Sequence, residues 1–455
     1  MITIKKAKSL KGTIRVPGDK SITHRSIMLG AIAEGDTFVR GYLKSADCMA
    51  TIDCFSRMGI SVETRHNPLT SYQDDETDNA ALNSTLIIHG NGLRGLSAPE
   101  GIELYAANSG TTVRLLAGIL AGQSFKSHIS GAASLSRRPM KRIIEPLSRM
   151  GVLCVSDNDD DRLPMTIKGG QPNCIHYESR VASAQVKSCV LLAGLYADEA
   201  TFYTEPVLSR NHTELMLGAC GANLKTKKRP GSSAVTTILY PGPSLKALSI
   251  TIPGDISSAA YFLAAGLITE DSEITITGVG INETRDGILR VIRAMGGDMT
   301  MRNIRIEGSE PVADITVRSS DLHGTEIRGA IIPTLIDELP VIAVMAACAE
   351  GTTVIRDAGE LRVKESDRLS AIVEGLRSMD IRVDSFEDGM AIHGGELRGT
   401  DIDPLGDHRL AMAFSVAGLV SRKPVRILDE RCVNISYPTF FEDLERLQGK
   451  KNSRK

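Results

Sequence analysis

Apolar and polar positions along the chain repeat one order six times: the apolar end of a helix, a short polar turn, and a strand rich in β-branched residues. The copies begin near residues 31, 117, 193, 264, 346 and 417. Their spacing of roughly 70–90 residues is longer than that of solenoid repeats and is typical of a compact αβ unit. The pattern therefore predicts six related units along the whole chain.

A second pattern falls between these copies and predicts where further helices end. It is a Met-Gly or Gly-Ala stop, or a close variant of one, in the segments SRMGI, SRMGV, GACGANL, RAMGGDM and RSMDIRV. Gly just after a helix is a C-cap signal, and the residues that follow alternate between apolar and polar as a strand does. Each unit is therefore expected to contain a helix, a strand, a helix and a strand, with additional strands.

Two Pro-Gly segments suggest how the six units are divided between domains. Residues 16–19 read VPGD, and residues 252–255 read IPGD. Pro-Gly pairs interrupt regular structure and suit hinges. We expect the chain to cross between domains at both, giving one domain at residues 19–253 and a discontinuous one at residues 1–18 plus 254–455. The cleft between two such domains is the expected place for a ligand.

Composition excludes several classes of protein. A chain of 455 residues is too long for one ordinary core. With 42% hydrophobic residues, 24% charged residues and a net charge of -2, it has no general attraction to nucleic acid. Aromatic residues at 4% and no Trp argue against stacking platforms for single strands. Polar stretches at residues 65–80 and 156–163 predict loops.

Eight Cys are scattered without a CxxC pair or Cys/His spacing suited to zinc, which indicates free thiols in a reducing cytosol and no metal. The N-terminal residues lack the apolar core of a signal peptide. The longest apolar run, residues 340–349, is about half the length of a membrane span. We therefore expect a cytoplasmic protein with no membrane partner and no nucleic-acid partner.

The first candidate functional residues lie at the starts of predicted helices. The turn at residues 16–19 leads directly to Lys20, Ser21 and Arg25, with Ser21 as the expected N-cap. The free N–H groups and the dipole of a helix N-terminus favour an anion, and the cations add to that preference. Basic or small-residue helix starts are also expected at residues 107–112, 137–139, 183–187, 209–210, 364–368 and 408–409.

Cations are mildly unfavourable at this end of a helix, so their repetition indicates a site that collects negative charge. At any single segment, an ordinary capped and solvated helix remains the alternative. Carboxylates accompany the cations: Asp337 precedes an apolar helix, and Glu365 follows Lys364. Lys364 and Arg368 are four residues apart, which predicts one helical face. Carboxylates among cations suit proton transfer, although acidic residues at helix starts are also common caps.

Familiar nucleotide and metal motifs are not supported. Residues 90–95 fit GxGxxG but lead into LSAPEG rather than a helix, which argues against a dinucleotide site. The GDKS segment at residues 18–21 lacks the frame of a phosphate-binding P-loop. His212 has no partner at metal-ligand spacing and is expected to be structural.

Taken together, the segments resemble a known family. PGDKSITHR, NSGTTVR, RRPM, SAQVKS, RNHTE, IDELP, LRVKESDRLSA and DHRLAM occur in the order found in the 5-enolpyruvylshikimate-3-phosphate (EPSP) synthase family, over essentially the full chain. The combination of GDKS, SAQVK, RNHTE and NETR (residues 282–285) is similar to the class II branch, whose members are often glyphosate-tolerant.

The resemblance implies an α/β (α+β) fold: a two-domain inside-out α/β barrel with three βαβαββ units in each domain and a cleft between the domains. It implies a transferase of the shikimate pathway to chorismate and the aromatic amino acids. The 5-hydroxyl of shikimate 3-phosphate attacks C2 of phosphoenolpyruvate while C3 is protonated, and the tetrahedral intermediate then loses phosphate. The resemblance implies no metal and no organic cofactor, only the two small-molecule substrates as partners, and we expect a monomer.

The resemblance also implies roles for individual residues. Contacts to shikimate 3-phosphate fall on Lys20, Ser21, Arg25, Ser183, Ala184, Gln185, Arg210, Asp337 and Lys364. Contacts to phosphoenolpyruvate fall on Lys20, Gly110, Arg138, Gln185, Arg368 and Arg409. Asp337 is the expected base at the 5-hydroxyl. Glu365 is the expected acid toward the methylene carbon, with Lys20 and Lys364 as competing proton carriers.

The chain departs from many relatives at two positions. Ile435 stands where they carry a lysine that also grips phosphoenolpyruvate, and Leu115 stands where they carry Pro. Gly110 matches the glyphosate-sensitive pattern, whereas some tolerant class II members have Ala there, so the herbicide response stays open.

Two alternative functions remain to be tested. One is the enolpyruvyl transferase that acts on UDP-N-acetylglucosamine, which depends on a reactive Cys in a Gly/Arg-rich loop; none of the eight Cys lies in such a loop. The other is a non-catalytic anion-binding repeat protein, which needs the cationic clusters but neither Asp337 nor Glu365.

Overall fold

The computed structural model of the chain describes residues 1–66, 84–242 and 244–450. The polar loop expected at residues 65–80 lies outside the described residues from residue 67 onward. The loop expected at residues 156–163 joins two strands, as predicted.

The strands, numbered in chain order, are β1 Ile2–Ile4, β2 Lys11–Ile14, β3 Glu34–Arg40, β4 Ser61–His66, β5 Ser84–Asn91, β6 Ile102–Tyr105, β7 Lys126–Ser130, β8 Leu153–Ser156, β9 Met165–Lys168, β10 His176–Glu178, β11 Thr201–Glu205, β12 Leu224–Lys228, β13 Val235–Leu239, β14 Ser249–Thr251, β15 Glu273–Gly280, β16 Asp298–Glu307, β17 Glu310–Arg318, β18 Glu326–Ile327, β19 Thr352–Ile355, β20 Val383–Ser385, β21 Met390–His393, β22 Asp401–Ile402 and β23 Val425–Ile427.

The α-helices are α1 Lys20–Ile32, α2 Ala46–Arg57, α3 Gly110–Leu120, α4 Ala133–Ser136, α5 Lys141–Arg149, α6 Ala184–Gly194, α7 His212–Ala219, α8 Ile256–Ile268, α9 Gly287–Ala294, α10 Leu339–Cys348, α11 Arg368–Ser378, α12 His408–Gly418 and α13 Phe440–Leu447. Short 3₁₀ segments occupy Gly329–Thr334, Gly359–Val363 and Arg431–Ile435.

The strands of the described residues form six sheets, five with four strands and one with three. One strand order recurs. In the sheet β6-β7-β9-β8, β6 pairs in parallel with β7, which pairs antiparallel with β9, which pairs antiparallel with β8. The helix α3 lies between β6 and β7, because parallel neighbours need a crossover connection, and α4 and α5 lie between β7 and β8. The sheets β10-β11-β13-β12 and β18-β19-β21-β20 repeat this arrangement. The six sheets match the six units expected from the sequence, in a mixed α/β fold.

In two of the sheets, the edge strand that pairs in parallel with its neighbour comes from a distant part of the chain. β2 pairs in parallel with β15, and β14 pairs in parallel with β3. The two Pro-Gly segments, which follow β2 and β14 and lead to α1 and α8, lie side by side, with Gly18 bridging to Gly254. Asp19 N donates to Pro253 O (2.8 Å), and Asp255 N donates to Pro17 O (2.9 Å). The segments expected to be hinges therefore form one paired crossing point.

The expected helix stops are present. After α2, Gly59 adopts a φ of 84°, the left-handed conformation that ends a helix at low cost in Gly. After α11, Asp380 takes the same conformation with a φ of 71°, which short polar side chains tolerate. Each stop turns the chain into the next strand of its sheet.

Buried apolar side chains gather in two hydrophobic cores. One is built from residues 22–252, and the other from residues 4–16 together with residues 256–447. The helices α8 and α10 are apolar almost all round and are buried along nearly their whole length, as such helices must be. Among the described residues, no helix is both long enough and apolar enough to span a bilayer.

Candidate active site

A polar cavity of about 220 Å³ is lined by residues from both sides of the crossing point. All of the site residues expected from the sequence line it, except Gly110 and Arg368. Those that do are Lys20, Ser21, Arg25, Arg138, Ser183, Ala184, Gln185, Arg210, Asp337, Lys364, Glu365 and Arg409. Residues distant in sequence thus meet in one place.

The start of α1 differs from the prediction in its cap. Asp19, not Ser21, is the N-cap: its Oδ1 accepts from Ile22 N (2.8 Å). Pairing of Asp19 N with Pro253 O holds the segment extended up to Asp19, so the helix begins at Lys20. The prediction of Ser21 as the cap was wrong because either residue can cap a helix, and the long-range pairing chooses between them.

The cations of α1 are held by side chains from neighbouring elements. Arg25 Nε donates to Thr213 Oγ1 (2.7 Å) and its second terminal nitrogen donates to Ser188 Oγ (3.0 Å), so the guanidinium is fixed although it is almost fully buried. Lys20 forms an ion pair with Asp47 near the start of α2. Both cations are oriented by contacts that leave them lining the cavity.

A second group of cations includes one that sequence reasoning missed. Arg138 was expected at a helix start, but it lies between α4 and α5, with α5 beginning at Lys141. The missed residue is Arg114, which lies one turn after Gly110 and donates to Gln185 Oε1 (2.6 Å). Its spacing of four residues from Gly110 was the available signal. Burial, together with Arg142 and Arg138, lowers the pKa of Arg114 to about 9.

Asp337 lies at the centre of a ring of four cations. Its carboxylate oxygens lie 2.5 Å from Arg210, 3.2 Å from Arg368, 3.8 Å from Arg409 and 3.9 Å from Lys364. Burial alone would raise the pKa of this carboxyl, but Arg409, Arg210, Lys364 and Arg368 outweigh it and hold the pKa well below its ordinary value. The carboxylate is therefore ionised.

Glu365 forms the other acidic point of the cavity. It pairs with Arg368 (2.5 Å) and lies 3.7 Å from Arg138. Burial would raise its pKa, but the cations Arg368 and Arg138 hold it well below the ordinary value. Arg138 belongs to the part of the chain with the first core, and Glu365 to the part with the second, so their contact crosses the cavity.

The prediction that Lys364 and Arg368 share one face of a helix was wrong. Lys364 ends the 3₁₀ segment Gly359–Val363, and α11 begins only at Arg368, with Asp367 as its N-cap. Both side chains still reach Asp337, because the turn between the two segments directs them to the same carboxylate. Arg368 itself is buried beneath the cavity wall, where it also pairs with Asp407 (2.7 Å).

The remaining expected positions have clear surroundings. Gly110 is the first residue of α3, and a Cβ there would lie 2.8 Å from the Arg114 guanidinium and 3.6 Å from that of Arg138. Ile435 is half-buried against the second core. His212 is buried and hydrogen-bonded to Glu310 (2.6 Å), in agreement with a structural role.

His408 also lines the cavity and was noted in sequence only as part of a helix start. Burial, reinforced by Arg409, lowers its pKa to about 3, so its ring is neutral near pH 7. Within the described ranges, no group of three or more His, Cys, Asp or Glu side chains is arranged to hold a metal ion.

The architecture is that of solved enolpyruvyl transferases. An EPSP synthase structure from Acinetobacter baumannii matches with a TM-score of 0.83 at 43% sequence identity, covering 98% of this chain and 97% of that one. The enolpyruvyl transferase NikO from Streptomyces tendae, at 18% identity, shares the fold with a TM-score of 0.74 over 98% of this chain and 96% of its own.

Sequence comparison identifies the family to which the chain belongs within this class. The family model described as EPSP synthase (3-phosphoshikimate 1-carboxyvinyltransferase) matches residues 4–444. A 3-phosphoshikimate 1-carboxyvinyltransferase from Pelobacter propionicus is 51% identical over 98% of this chain and 98% of its own length. The chain belongs to the EPSP synthase family.

Proposed function

We propose that this chain is a 3-phosphoshikimate 1-carboxyvinyltransferase, which joins the enolpyruvyl group of phosphoenolpyruvate to the 5-hydroxyl of shikimate 3-phosphate and releases phosphate. The observation that carries the proposal is the ionised Asp337 inside a ring of four cations, in a cavity built from both halves of a chain that matches the family over residues 4–444. The ring supplies positive charge, and Asp337 supplies a proton acceptor.

The charges of the substrates explain why so many cations are gathered. Each substrate carries a phosphate and a carboxylate, so their approach is opposed by like-charge repulsion. Fixed guanidinium groups in a cavity that excludes water offset this repulsion more strongly than water would. We assign Lys20, Ser21, Arg25, Ser183, Ala184, Gln185, Arg210, Asp337 and Lys364 to shikimate 3-phosphate. We assign Lys20, Gly110, Arg138, Gln185, Arg368 and Arg409 to phosphoenolpyruvate.

The first step forms the new ether bond. The 5-hydroxyl oxygen adds to C2 of phosphoenolpyruvate, its proton passes to Asp337, and C3 takes a proton from Glu365, which makes a methyl group. Holding both substrates side by side removes much of the entropic barrier of a two-substrate reaction. In the second step C3 returns a proton to Glu365, the double bond re-forms, and the bond from C2 to the phosphate oxygen breaks. The departing phosphate takes up the proton that Asp337 accepted.

The low pKa values of the two carboxyls give substrate binding a role in activating them. Arg210 and Lys364 hold the pKa of Asp337 down, as Arg368 and Arg138 do for that of Glu365. A phosphate or carboxylate that binds these cations shares their charge, so the pKa of each carboxyl rises as the site fills. Asp337 thereby gains basicity, and Glu365 gains the proton that it must donate.

The domain division is part of the same proposal. We assign residues 19–253 to one domain and residues 1–18 plus 254–455 to the other, each an inside-out α/β barrel of three βαβαββ units. The two hydrophobic cores divide at the same crossing point, which supports this assignment. Both sides of the cavity come from one chain, which supports an active monomer. The eight Cys, all in the described part of the chain, are free thiols, which supports a cytoplasmic location.

The test is phosphate release with both substrates. The protein is mixed with phosphoenolpyruvate and shikimate 3-phosphate, and phosphate is measured over time. Turnover that requires both substrates is the expected result. Turnover with UDP-N-acetylglucosamine in place of shikimate 3-phosphate would assign the rival acceptor, and binding of both substrates without phosphate release would refute an enzymatic role.

A further inference from the structure

We propose that Arg285, in the turn formed by residues 282–285, is a positioning residue that holds the shikimate 3-phosphate half of the site together. The proposal rests on the function proposed above, and it concerns a side chain to which no substrate contact has been assigned. Arg285 lies between β15 and α9, and its side chain is only 3% exposed.

One guanidinium joins the caps of two helices. Arg285 donates to Asp19 Oδ2 (3.3 Å), the N-cap of α1, and to Asp255 Oδ1 (3.3 Å), the N-cap of α8. Asp255 Oδ2 in turn accepts from Lys20 N (3.4 Å). Arg285 therefore links the two Pro-Gly segments at their crossing point. This contact lies next to Lys20 and Ser21 at the start of α1.

The same turn also contacts residues beside Asp337 and Arg210. Arg285 donates to Ser257 Oγ (2.6 Å), which is hydrogen-bonded to Glu338, and Arg285 itself lies 3.7 Å from Glu338. At the start of the turn, Asn282 donates to Asn211 Oδ1 (2.8 Å). The turn is thus tied to both lobes of the cavity.

A pattern in these contacts identifies what the turn positions. Asp19 immediately precedes Lys20 and Ser21, Asn211 immediately follows Arg210, and Glu338 immediately follows Asp337. Three of the anchors, Asp19, Asn211 and Glu338, are thus chain neighbours of residues assigned to shikimate 3-phosphate, whereas Asp255 and Ser257 belong to the start of α8. None is a chain neighbour of the residues assigned to phosphoenolpyruvate alone, which are Gly110, Arg138, Arg368 and Arg409.

The charges require an arginine rather than any cation. Asp19, Asp255 and Glu338 are three buried carboxylates around one guanidinium. Burial would lower the pKa of Arg285, but these carboxylates outweigh it and raise the pKa. A planar fork can serve two carboxylates and a hydroxyl at once, whereas a lysine ammonium acts as a single point charge on a flexible stem.

The test compares two substitutions. Arg285→Lys keeps the positive charge but loses the fork. The double variant Arg285→Gln/Asp255→Asn removes one charge of each sign, so the net charge of the cluster is unchanged, and Asn still caps α8. Arg318→Gln is the matched control, because Arg318 also lies between two carboxylates, Glu273 and Asp298, but at an exposed site.

Dissociation of shikimate 3-phosphate is measured by calorimetry, and the KM of phosphoenolpyruvate is measured from phosphate release at saturating shikimate 3-phosphate. For both Arg285 variants we expect the dissociation constant to rise at least tenfold, about 1.4 kcal/mol. The KM of phosphoenolpyruvate should change less than threefold. The control should match the wild type.

Three outcomes would overturn the inference. Wild-type affinity in Arg285→Lys would show that charge alone suffices. A parallel loss for both substrates, or failure of both variants to fold, would assign Arg285 to general stability. The wild-type assay separates this inference from the proposed function, because turnover by the wild type without the substrate-selective loss refutes only the role of Arg285.

Discussion

Arg210 and Asp337 form an ion pair across the cavity, with a guanidinium nitrogen 2.5 Å from Oδ2. Arg210 belongs to the part of the chain that builds the first core, and Asp337 to the part that builds the second. We therefore expect an anionic substrate that binds Arg210 to compete with Asp337 for the guanidinium. In the proposed mechanism, this competition would raise the basicity of the Asp337 carboxylate as the site fills.

Asp337→Asn tests that exchange. We expect kcat to fall by about 10²–10⁴, the range for loss of a general base. The affinity for shikimate 3-phosphate should be no weaker, because the substituted site no longer offers Arg210 a competing anion. Phosphate release and calorimetry check the two parts. The exposed Asp271→Asn, whose carboxylate pairs with Lys11, is the control and should leave both values unchanged. Weakened binding together with retained kcat would contradict the assignment.

Lys20→Ala tests the cations at the start of α1. Lys20 lies in the cavity with Asp47 as its partner, so removal of its ammonium leaves Asp47 as an additional negative charge beside anionic substrates. We expect kcat/KM to fall at least about 100-fold without loss of fold. Lys11→Ala, which removes an exposed lysine from a similar Asp pair, is the matched control. Equal kinetics in the two variants would remove Lys20 from the site.

Arg138→Ala tests a second cation from the same part of the chain as Lys20. Its guanidinium contacts Glu365 across the cavity. Its loss therefore removes a cation assigned to phosphoenolpyruvate, and it also removes one of the charges that lower the pKa of Glu365. We expect kcat/KM for phosphoenolpyruvate to fall by orders of magnitude, while calorimetric binding of shikimate 3-phosphate alone changes little. Loss of shikimate 3-phosphate binding to the same degree would show that the assignment of Arg138 to phosphoenolpyruvate is wrong.

Gly110→Ala tests the close approach at the start of α3. The new methyl group would lie 2.8 Å from the Arg114 guanidinium, so that flexible group must move. Since Arg114 also holds Gln185, we expect the KM of phosphoenolpyruvate to rise several-fold while the melting temperature stays within about 2 °C. Steady-state kinetics and a thermal melt check this. An unchanged KM would place phosphoenolpyruvate away from Gly110.

The buried, neutral ring of His408 predicts that the free energy of unfolding falls as the pH is lowered. Its pKa is lowered from 6.5 to about 3 in the fold, so below pH 6.5 the unfolded chain binds a proton that the folded chain does not. Stability is unaffected by this residue above pH 6.5 and falls as the pH drops from 6.5 toward 3. Between pH 7 and pH 5 the wild type should lose about 2 kcal/mol more than His408→Gln. Urea titrations at both pH values check this; equal losses would contradict the buried neutral ring.

Local signals were enough to place most of the site. Pro-Gly turns, small residues and apolar runs located the starts of α1, α3, α6 and α12, and these bring Lys20, Gln185 and Arg409 to the cavity. Apolar and polar periodicity was also sufficient for the six units, because each sheet forms mainly from strands that are close in sequence.

Long-range pairing was not accessible in the same way. Nothing local to the four residues of β2 indicates a partner in β15, and the N-cap of α1 follows from contact with Pro253, far along the chain. Arg114 and Arg285 were missed as cavity residues because their importance lies in their partners, Gln185 for one and Asp19 with Asp255 for the other. Those partners are apparent only in the folded chain.

We propose that fixed cations from both parts of the chain, gathered in the cavity between the two cores, hold both anionic substrates. A crystal structure of the Asp337→Asn protein with shikimate 3-phosphate and phosphoenolpyruvate tests it most directly, because the slowed variant retains both substrates. We expect their phosphate and carboxylate oxygens within hydrogen-bond distance of Lys20, Arg138, Lys364 and Arg409. Ligands bound elsewhere, with these four side chains free of them, would contradict it.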